Sequence, residues 1–324
     1  MSTLLSCPQG HKWWEPFTDC ATGAHATTSS CPRCGHKLTL TPGAPSMPSA
    51  TQPESISPVL RPCVSLNVEL TIMGTPVKAS IPVPTDPVSP RELLPLFRDL
   101  AETIVDIGVK AVESQGKKVS CRAGCGACCR QLVPIVEDEA RQLHAVIDRL
   151  PEPRRSEVRA RFAEARLRLE EAGLLDALQH PERFADDELR PVGLRYFHLG
   201  IPCPFLNEES CSIYPERPIA CREYLVTSCA THCAEPTPET VDCVPLAAKV
   251  STALTRLQLE PESRFVRWVP LVLAPEWAAT HPEEKPPRPG PAVMEEFFQR
   301  LLERKREPGK STASDSDHER HATS

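Results

Sequence analysis

The segment CRAGCGACCR, residues 121 to 130, contains four of the chain's fifteen cysteines within nine positions. Cysteine thiolates are ligands for zinc and for iron–sulfur clusters. Glycine and alanine fill the gaps between these cysteines, and glycine lets a backbone fold tightly and point its amides at bound sulfur. Arg122 and Arg130 lie near the two ends of this segment and could offset thiolate charge. The spacing therefore predicts a metal-binding loop rather than a piece of hydrophobic core.

A second cysteine-rich region reads CPFLNEESCSIYPERPIACREY. It contributes Cys203, Cys211 and Cys221, and it is followed by Cys229, Cys233 and Cys243. Its prolines predict a rigid segment, and Arg217 and Arg222 could hydrogen-bond acidic or carbonyl groups as fixed forks. The two regions either share one site or hold two separate metals. The close pairing of cysteine with turn residues favours a shared site.

The N-terminus carries a separate pair of cysteine motifs. Cys7-Pro-Gln-Gly-His11 is followed by Cys31-Pro-Arg-Cys34-Gly35. Two such halves supply four ligands of the types that structural zinc takes in tetrahedral geometry. The unit resembles a zinc ribbon, like short modules that precede other domains in some bacterial proteins. Cys20 is an alternative ligand, and His36 could replace His11.

Composition limits the classes of partner. The formal net charge of −6 and the pI near 6.0 do not suggest nucleic-acid binding. No apolar run approaches the roughly 20 residues of a membrane helix, and we expect no signal peptide, so membrane association is not predicted. An odd number of cysteines in a chain of this size favours metal chemistry over disulfides, so we expect a cytoplasmic protein.

The periodicity of apolar residues predicts a mostly helical α+β fold around a small cysteine-rich, metal-centred domain. Residues 64 to 83 alternate as a β-hairpin, and residues 90 to 115 have helical spacing after a Ser89–Glu92 capping box. Further helices are expected at 137–150, 154–178, 245–258 and 291–305. The charges of the 154–178 helix are interpreted as a solvated face.

Four segments follow from these patterns. They are a zinc-ribbon-like module at 1–40, a Pro/Ser-rich linker at 41–62, a cysteine-cluster domain at 63–282 with its core motif at 118–245, and a C-terminal helix with a disordered tail at 283–324.

The two cysteine regions together resemble the YkgJ-type CxxCxxCC family, which is described as zinc- or iron-chelating and includes proteins labelled flagellin lysine-N-methylase. The resemblance implies a metal or iron–sulfur site formed by Cys121, Cys125, Cys128, Cys129, Cys203, Cys211 and Cys221. Cys229 lies near a further cysteine that such proteins often carry, whereas Cys233 and Cys243 lie beyond the pattern. The number of thiols favours an iron–sulfur cluster over zinc at this site.

Two functions follow. The first is a metal-binding protein with zinc at the N-terminus and an iron–sulfur cluster or zinc at the central site. The alternative, implied by the family label, is an S-adenosylmethionine-dependent protein-lysine N-methylase. The sequence contains no strand–GxGxxG–helix element of a conventional nucleotide site. The expected partner is a protein substrate or a docking protein.

Overall fold

The structure is a computed structural model, and it describes residues 2–6, 12–16, 28–30, 37–39, 61–72, 75–122, 124–184, 186–234, 236–237, 239–257, 268–281 and 286–302. The helices are α1 (Leu94–Ser114), α2 (Glu137–Arg149), α3 (Arg154–Glu171), α4 (Leu175–Gln179), α5 (Asp186–His198), α6 (Ile219–Glu223), α7 (Val250–Leu257), α8 (Ala274–Thr280) and α9 (Gly290–Leu302). The strands are β1 (Ser2–Ser6), β2 (Lys12–Pro16), β3 (Thr28–Ser30), β4 (Lys37–Thr39), β5 (Cys63–Ile72), β6 (Thr75–Pro84), β7 (Pro87–Val88), β8 (Pro134–Ile135), β9 (Leu206–Asn207), β10 (Ser210–Cys211), β11 (Val269–Pro270) and β12 (Arg288–Pro289).

All strand pairs in the described residues are antiparallel and two-stranded. The pairs β1–β2, β3–β4, β5–β6 and β9–β10 join strands that follow each other along the chain, whereas β7–β12 and β8–β11 join distant segments. Helices dominate the described residues, which agrees with the predicted α+β class. Among the helices that the structure describes, none is long and apolar enough to cross a bilayer.

The predicted hairpin is confirmed, with Leu66 opposite Ile81 and Val64 opposite Val83. Its apolar face packs against a core formed by α1, α7 and α9. Phe97 of α1 and Phe297 of α9 meet at the centre, with ring centroids 4.6 Å apart. Helix α9, which the sequence analysis assigned to a separate C-terminal segment, therefore contributes to the same core as the hairpin.

Helix α1 begins close to the predicted position. The Ser89 amide donates a hydrogen bond of 2.9 Å to the Glu92 carboxylate, as expected for half of a capping box. A short 3-10 helix covers Pro90–Leu93 before the α-helix starts. The chain leaves α1 at Gly116, whose φ of +78° favours glycine. The residues that follow lead directly into the cysteine loop.

The long helix predicted over 154–178 is wrong in one respect, because it is divided into α3 and α4. Gly173 adopts a φ of +64°, and the Leu174 amide donates to the Leu169 carbonyl at 2.9 Å. This pattern is the Schellman ending, which closes a helix at a left-handed glycine. Helices α5 and α8 were not predicted individually, and α7 begins at Val250, five residues later than expected.

Buried Glu223 determines where α7 begins. Its carboxylate accepts hydrogen bonds from the Val250 amide at 2.6 Å and from the Ser251 amide at 3.3 Å, together with one from the Ser251 hydroxyl. These are free amides of the first helical turn, so the carboxylate caps α7. Glu223 follows Cys221 by two residues, so the start of α7 is tied to a cysteine-bearing turn.

We expect Glu223→Gln to change how stability depends on pH. Burial raises the pKa of Glu223 above its usual 4.5, although the Ser251 hydrogen bonds oppose this effect. A group whose pKa is higher in the folded than in the unfolded protein stabilises the fold fully at pH values below its unfolded pKa. This stabilisation is lost as pH rises through the folded pKa. It amounts to about 1.4 kcal/mol for each unit by which the two pKa values differ. Urea unfolding between pH 4.5 and 7 should show the wild type losing stability relative to Glu223→Gln as pH rises. A relative gain with rising pH would contradict a raised pKa.

Candidate metal centre

The cysteine loop is shaped by two consecutive turns. Gly124 has a φ of +79°, and the Cys125 amide donates to the Arg122 carbonyl at 3.2 Å. A 3-10 helix, Ala127–Arg130, follows, in which the Cys129 amide donates to the Gly126 carbonyl at 3.0 Å. This tight turn brings the neighbouring Cys128 and Cys129 together, and each thiol shifts the pKa of the other.

The two cysteine regions lie in contact, as predicted, but in the described residues their sulfurs do not converge into a set of metal ligands. The Cys203 amide donates a hydrogen bond of 2.7 Å to the Cys129 carbonyl, which joins the first loop to the CPFL segment. Burial raises the pKa of the Cys203 thiol to about 12, although the nearby Phe205 and Leu206 amides lower it. Amides directed at a cysteine sulfur are a common feature of iron–sulfur sites.

The β9–β10 hairpin is held against the cysteine loop by an arginine. Arg130 forms two hydrogen bonds with the Glu209 carboxylate, at 2.7 and 3.1 Å, and a third of 2.8 Å with the Gly126 carbonyl. Glu208 and Glu209 form the hairpin turn with φ values of +46° and +57°, which are uncommon for residues other than glycine. The Arg130 fork therefore fixes a turn that ends at the strand carrying Cys211.

Gly126 lies where the loop and the hairpin are closest. A Cβ at this position would lie 2.6 Å from Oε2 of Glu209, 2.7 Å from Cδ1 of Leu206 and 3.2 Å from Cα of Glu209. We expect Gly126→Ala to lower the free energy of unfolding by about 1–3 kcal/mol through overpacking, and to reduce metal binding. Urea unfolding and metal analysis measure both effects.

Gly193→Ala is the matched control for this prediction. Gly193 lies within α5, and an added Cβ there would meet no atom within 4 Å. Alanine should therefore be neutral or stabilising by up to about 1 kcal/mol in the helix. Equal stability changes in the two variants would contradict close packing at Gly126.

The start of the loop pairs with a third segment. The Ser120 amide donates to the Val226 carbonyl at 2.9 Å, and the Val226 amide donates to Sγ of Cys121 at 3.4 Å. On its other side, Val226 forms an antiparallel bridge with Cys243. Cys121 therefore lies beside the residues that follow the CREY sequence, although they are about one hundred positions away in the chain.

Cys233 lies near the first loop as well. It packs with Ala127 and Val226 in a small apolar cluster, against which Cys121, Cys125 and Tyr224 also pack. Burial raises the pKa of Cys233 to about 11. Cys203, Cys211 and Cys221 instead pack against a different cluster that includes Phe205 and Ile213.

Three arginines on one stripe of α3 hold the CPFL segment and its surroundings. Arg154 donates to the Ser212 carbonyl at 2.6 Å, Arg161 donates to the Leu206 carbonyl at 2.9 Å, and Arg168 donates to the Leu199 carbonyl. These arginines recur every seven residues, so they lie on one side of the helix. The interpretation of all the α3 charges as a solvated face is therefore wrong for Arg161 and Arg168, whereas Arg159 forms an exposed ion pair with Asp148.

The turn that carries Cys221 is fixed from two sides. Arg222 is buried, donates to the Arg217 carbonyl at 3.1 Å and also bonds Glu102 and the Pro215 carbonyl, as its predicted fork suggests. Buried Glu139 accepts a hydrogen bond of 2.8 Å from the Ile219 amide. Both contacts restrain α6, on which Cys221 lies.

The thiols influence one another electrostatically. Burial raises the pKa of Cys121, Cys211 and Cys221, and charge on neighbouring Cys128 raises it further. A hydrogen bond from Cys129 lowers the pKa of Cys128 to about 7, and the Arg217 guanidinium also lowers it. The same hydrogen bond and burial raise the pKa of Cys129. A bound cation would favour the thiolate form of the whole group.

The twelve predicted metal ligands fall into three sets in the structure. Seven of them lie in the contacting segments just described: Cys121, Cys125, Cys128, Cys129, Cys203, Cys211 and Cys221. Cys229 is disulfide-bonded rather than free. Cys7, His11, Cys31 and Cys34 lie outside the described residues. Within the described residues, no three His, Cys, Asp or Glu side chains converge closely enough to hold a metal ion as they stand.

Sequence reasoning did not assign a role to several residues around the cysteines. Cys233 joins the first loop through tertiary packing, and its position among the last cysteines was the only signal for it. Glu139 and Glu209 were not singled out as supports, since an acidic residue at a helix start or in a turn is ordinary. Only the contacts of their carboxylates distinguish them.

Comparisons with known proteins support part of the predicted resemblance. Residues 120–244 match the family model CxxCxxCC, described as "Putative zinc- or iron-chelating domain". No curated protein and no solved structure gives a significant match to the chain. The matched range contains all the contacting cysteine segments described above. Residues 120–244 are thus similar to the CxxCxxCC domain, and this match supports zinc or iron binding in general.

Proposed function

We propose that residues 120–244 bind zinc or iron through the thiolates of Cys121, Cys125, Cys128, Cys129, Cys203, Cys211 and Cys221. The single observation that carries this proposal is the Cys203–Cys129 hydrogen bond of 2.7 Å, because it brings two distant cysteine segments together. Soft thiolate ligands suit zinc and iron–sulfur clusters rather than magnesium or calcium. The sulfurs must draw closer together than they stand, since a zinc–sulfur bond is near 2.3 Å.

The hydrogen bonds around the sulfurs also support metal binding. The Val226 amide donates a hydrogen bond of 3.4 Å to the Cys121 sulfur. The Phe205 and Ile213 amides lower the pKa of the Cys203 and Cys211 thiols, respectively. Such amides orient cysteine ligands and partly neutralise their charge, as outer-shell groups do in metalloproteins. Without a cation, burial keeps thiols such as Cys203 protonated. The surroundings of these cysteines therefore favour thiolates only when a metal cation is bound.

The number of thiols argues against a single zinc. One zinc needs four protein ligands, and the matched segment offers more than four. An iron–sulfur cluster with further thiols and a pair of zinc sites both fit this number, and of the two we favour the cluster. No observation favours the S-adenosylmethionine-dependent lysine methylase, so we do not propose it.

We propose separately that Cys7, His11, Cys31 and Cys34 bind a structural zinc. Cys7 and His11 lie between β1 and β2, and Cys31 and Cys34 lie between β3 and β4. Two hairpins that each carry a ligand pair in their connection are the arrangement of a zinc ribbon. The double variant Cys31→Ser/Cys34→Ser should lose about one zinc per chain.

The test of the central site is the metal and acid-labile sulfide content of protein purified without oxygen, together with its visible spectrum. Iron with matching sulfide and a brown colour would establish a cluster. Zinc without sulfide would establish thiolate zinc and exclude the iron–sulfur form. A protein that retains neither metal beyond the N-terminal zinc would overturn the proposal.

A further inference from the structure

The described part of the chain contains eight free thiols that are shielded from solvent. It has ten free cysteines, of which Cys63 and Cys243 are exposed. The other eight are buried or partly buried: Cys121, Cys125, Cys128, Cys129, Cys203, Cys211, Cys221 and Cys233. Eight is twice the number of ligands in a tetrahedral thiolate site.

Packing divides six of these thiols into two groups. Cys121, Cys125 and Cys233 lie around the small apolar cluster of Ala127 and Val226, which we call the loop group. Cys203, Cys211 and Cys221 lie against the cluster that includes Phe205, Ile213 and the apolar faces of α2 and α3, which we call the hairpin group. Each group holds three sulfurs against its own wall of buried side chains.

The vicinal pair Cys128–Cys129 lies between the two groups. The Cys129 carbonyl accepts the Cys203 amide, which assigns Cys129 to the hairpin group. Cys128 directly follows Ala127, the buried centre of the loop group. The 3-10 helix that carries both cysteines also packs against the 3-10 helix Ala230–Ala234, which carries Cys233. One vicinal pair can thus add a fourth thiol to each group.

We propose that the domain holds two tetrathiolate metal centres instead of one. Cys121, Cys125, Cys128 and Cys233 form the first, and Cys129, Cys203, Cys211 and Cys221 form the second. Each centre takes zinc or an iron–sulfur cluster, because four thiolates suit either. This inference rests on the proposed function and adds Cys233 to its ligands. The four sulfurs of each group must move closer together when metal binds, and the same movement is required if there is only one centre.

The experiment compares the metal content of full-length variants purified without oxygen. Cys233→Ser and Cys211→Ser should each lose about half of the metal bound by the domain, because each removes one ligand from one of two four-ligand sites. The double variant should lose nearly all of it. Cys243→Ser, which removes an exposed cysteine near the loop group, is the matched control and should keep the wild-type content.

The outcomes separate this inference from the proposed function. Unchanged metal in Cys233→Ser, with a loss in Cys211→Ser, overturns the two-centre arrangement and leaves the proposed function standing. Complete loss of metal in either folded single variant means one shared centre and also overturns the inference. A wild-type domain without metal overturns the proposed function itself. Circular dichroism establishes that each variant is folded.

If Cys233→Ser does not fold, a count of binding sites decides the question. The reduced, metal-free full chain with Cys31→Ser/Cys34→Ser is titrated with Co²⁺, whose thiolate absorption reports tetrahedral sulfur sites. Two centres predict an end point at about two equivalents. An end point at one equivalent overturns the inference.

Discussion

Removing the bound metal with a chelator under reducing conditions should strongly destabilise the domain at residues 120–244. Metal held only by the folded chain stabilises it by about 4 kcal/mol when present at a thousand times its Kd. Most of these thiols are buried or partly buried, and burial without a cation keeps thiols such as Cys203 protonated. Urea unfolding, with and without chelator, measures the difference. An unchanged unfolding curve would mean that metal binding is not coupled to folding.

Two variants make this prediction specific. Cys203→Ser removes a proposed ligand thiol but keeps the backbone amide that bonds the Cys129 carbonyl, so chelator should have a smaller additional effect on this variant than on the wild type. Cys63→Ser removes an exposed thiol at the start of the hairpin and should respond to chelator as the wild type does. A chelator effect of equal size in all three proteins would place the metal outside the proposed site.

Replacing Arg222 with alanine should lower the free energy of unfolding by about 1–3 kcal/mol, because the variant loses a buried side chain and the hydrogen bonds that it donates. The Arg222 side chain is 6 % exposed, whereas its partner Glu102 is 54 % exposed and can regain water. The variant also leaves the Pro215 and Arg217 carbonyls without this donor. Since Arg222 directly follows Cys221, metal content should fall as well. Urea unfolding and metal analysis test both results.

Arg159→Ala is the control for an arginine in an exposed ion pair. Arg159 bonds Asp148 at 2.7 Å, but their side chains are 56 % and 46 % exposed. Exposed pairs contribute about 0–1 kcal/mol. Arg222→Lys keeps the charge but loses the fork, and we expect it to lie between the two alanine variants. A cost for Arg222→Ala no larger than that for Arg159→Ala would show that the fork does not support the turn.

Local patterns predicted the elements whose residues interact with near neighbours. The alternation at Leu66 and Ile81 depends only on the two faces of a strand, and it gave the correct hairpin. The Ser89–Glu92 pair likewise indicated the start of α1 because capping is a local interaction. The division of the long helix at Gly173 was missed, because a glycine within a helical pattern is compatible with either a continuous helix or its end.

The candidate site was predictable only in part. Cysteine spacing and the resemblance indicated that residues 121–129 and 203–221 should meet, and the Cys203–Cys129 bond agrees. The arginine stripe of α3 was not predictable, because a single sequence does not reveal which helix face a distant loop will cover. The position of Cys233 beside Cys121 depends on the antiparallel bridge between Val226 and Cys243. Contacts of this kind depend on how distant segments pack, which a single sequence does not reveal.

The joining of Cys129 to Cys203 also sets an order of events during protein synthesis. The ribosome completes Cys121–Cys129 well before helices α2 to α5 and the second group of cysteines have emerged. The first four thiols therefore exist for a time without the sulfurs that lie near them in the finished fold. On the proposed function, metal insertion is a late step that waits for the chain beyond Cys221. During that interval the nascent Cys128–Cys129 pair is open to oxidation, so reducing conditions matter most while the protein is being made.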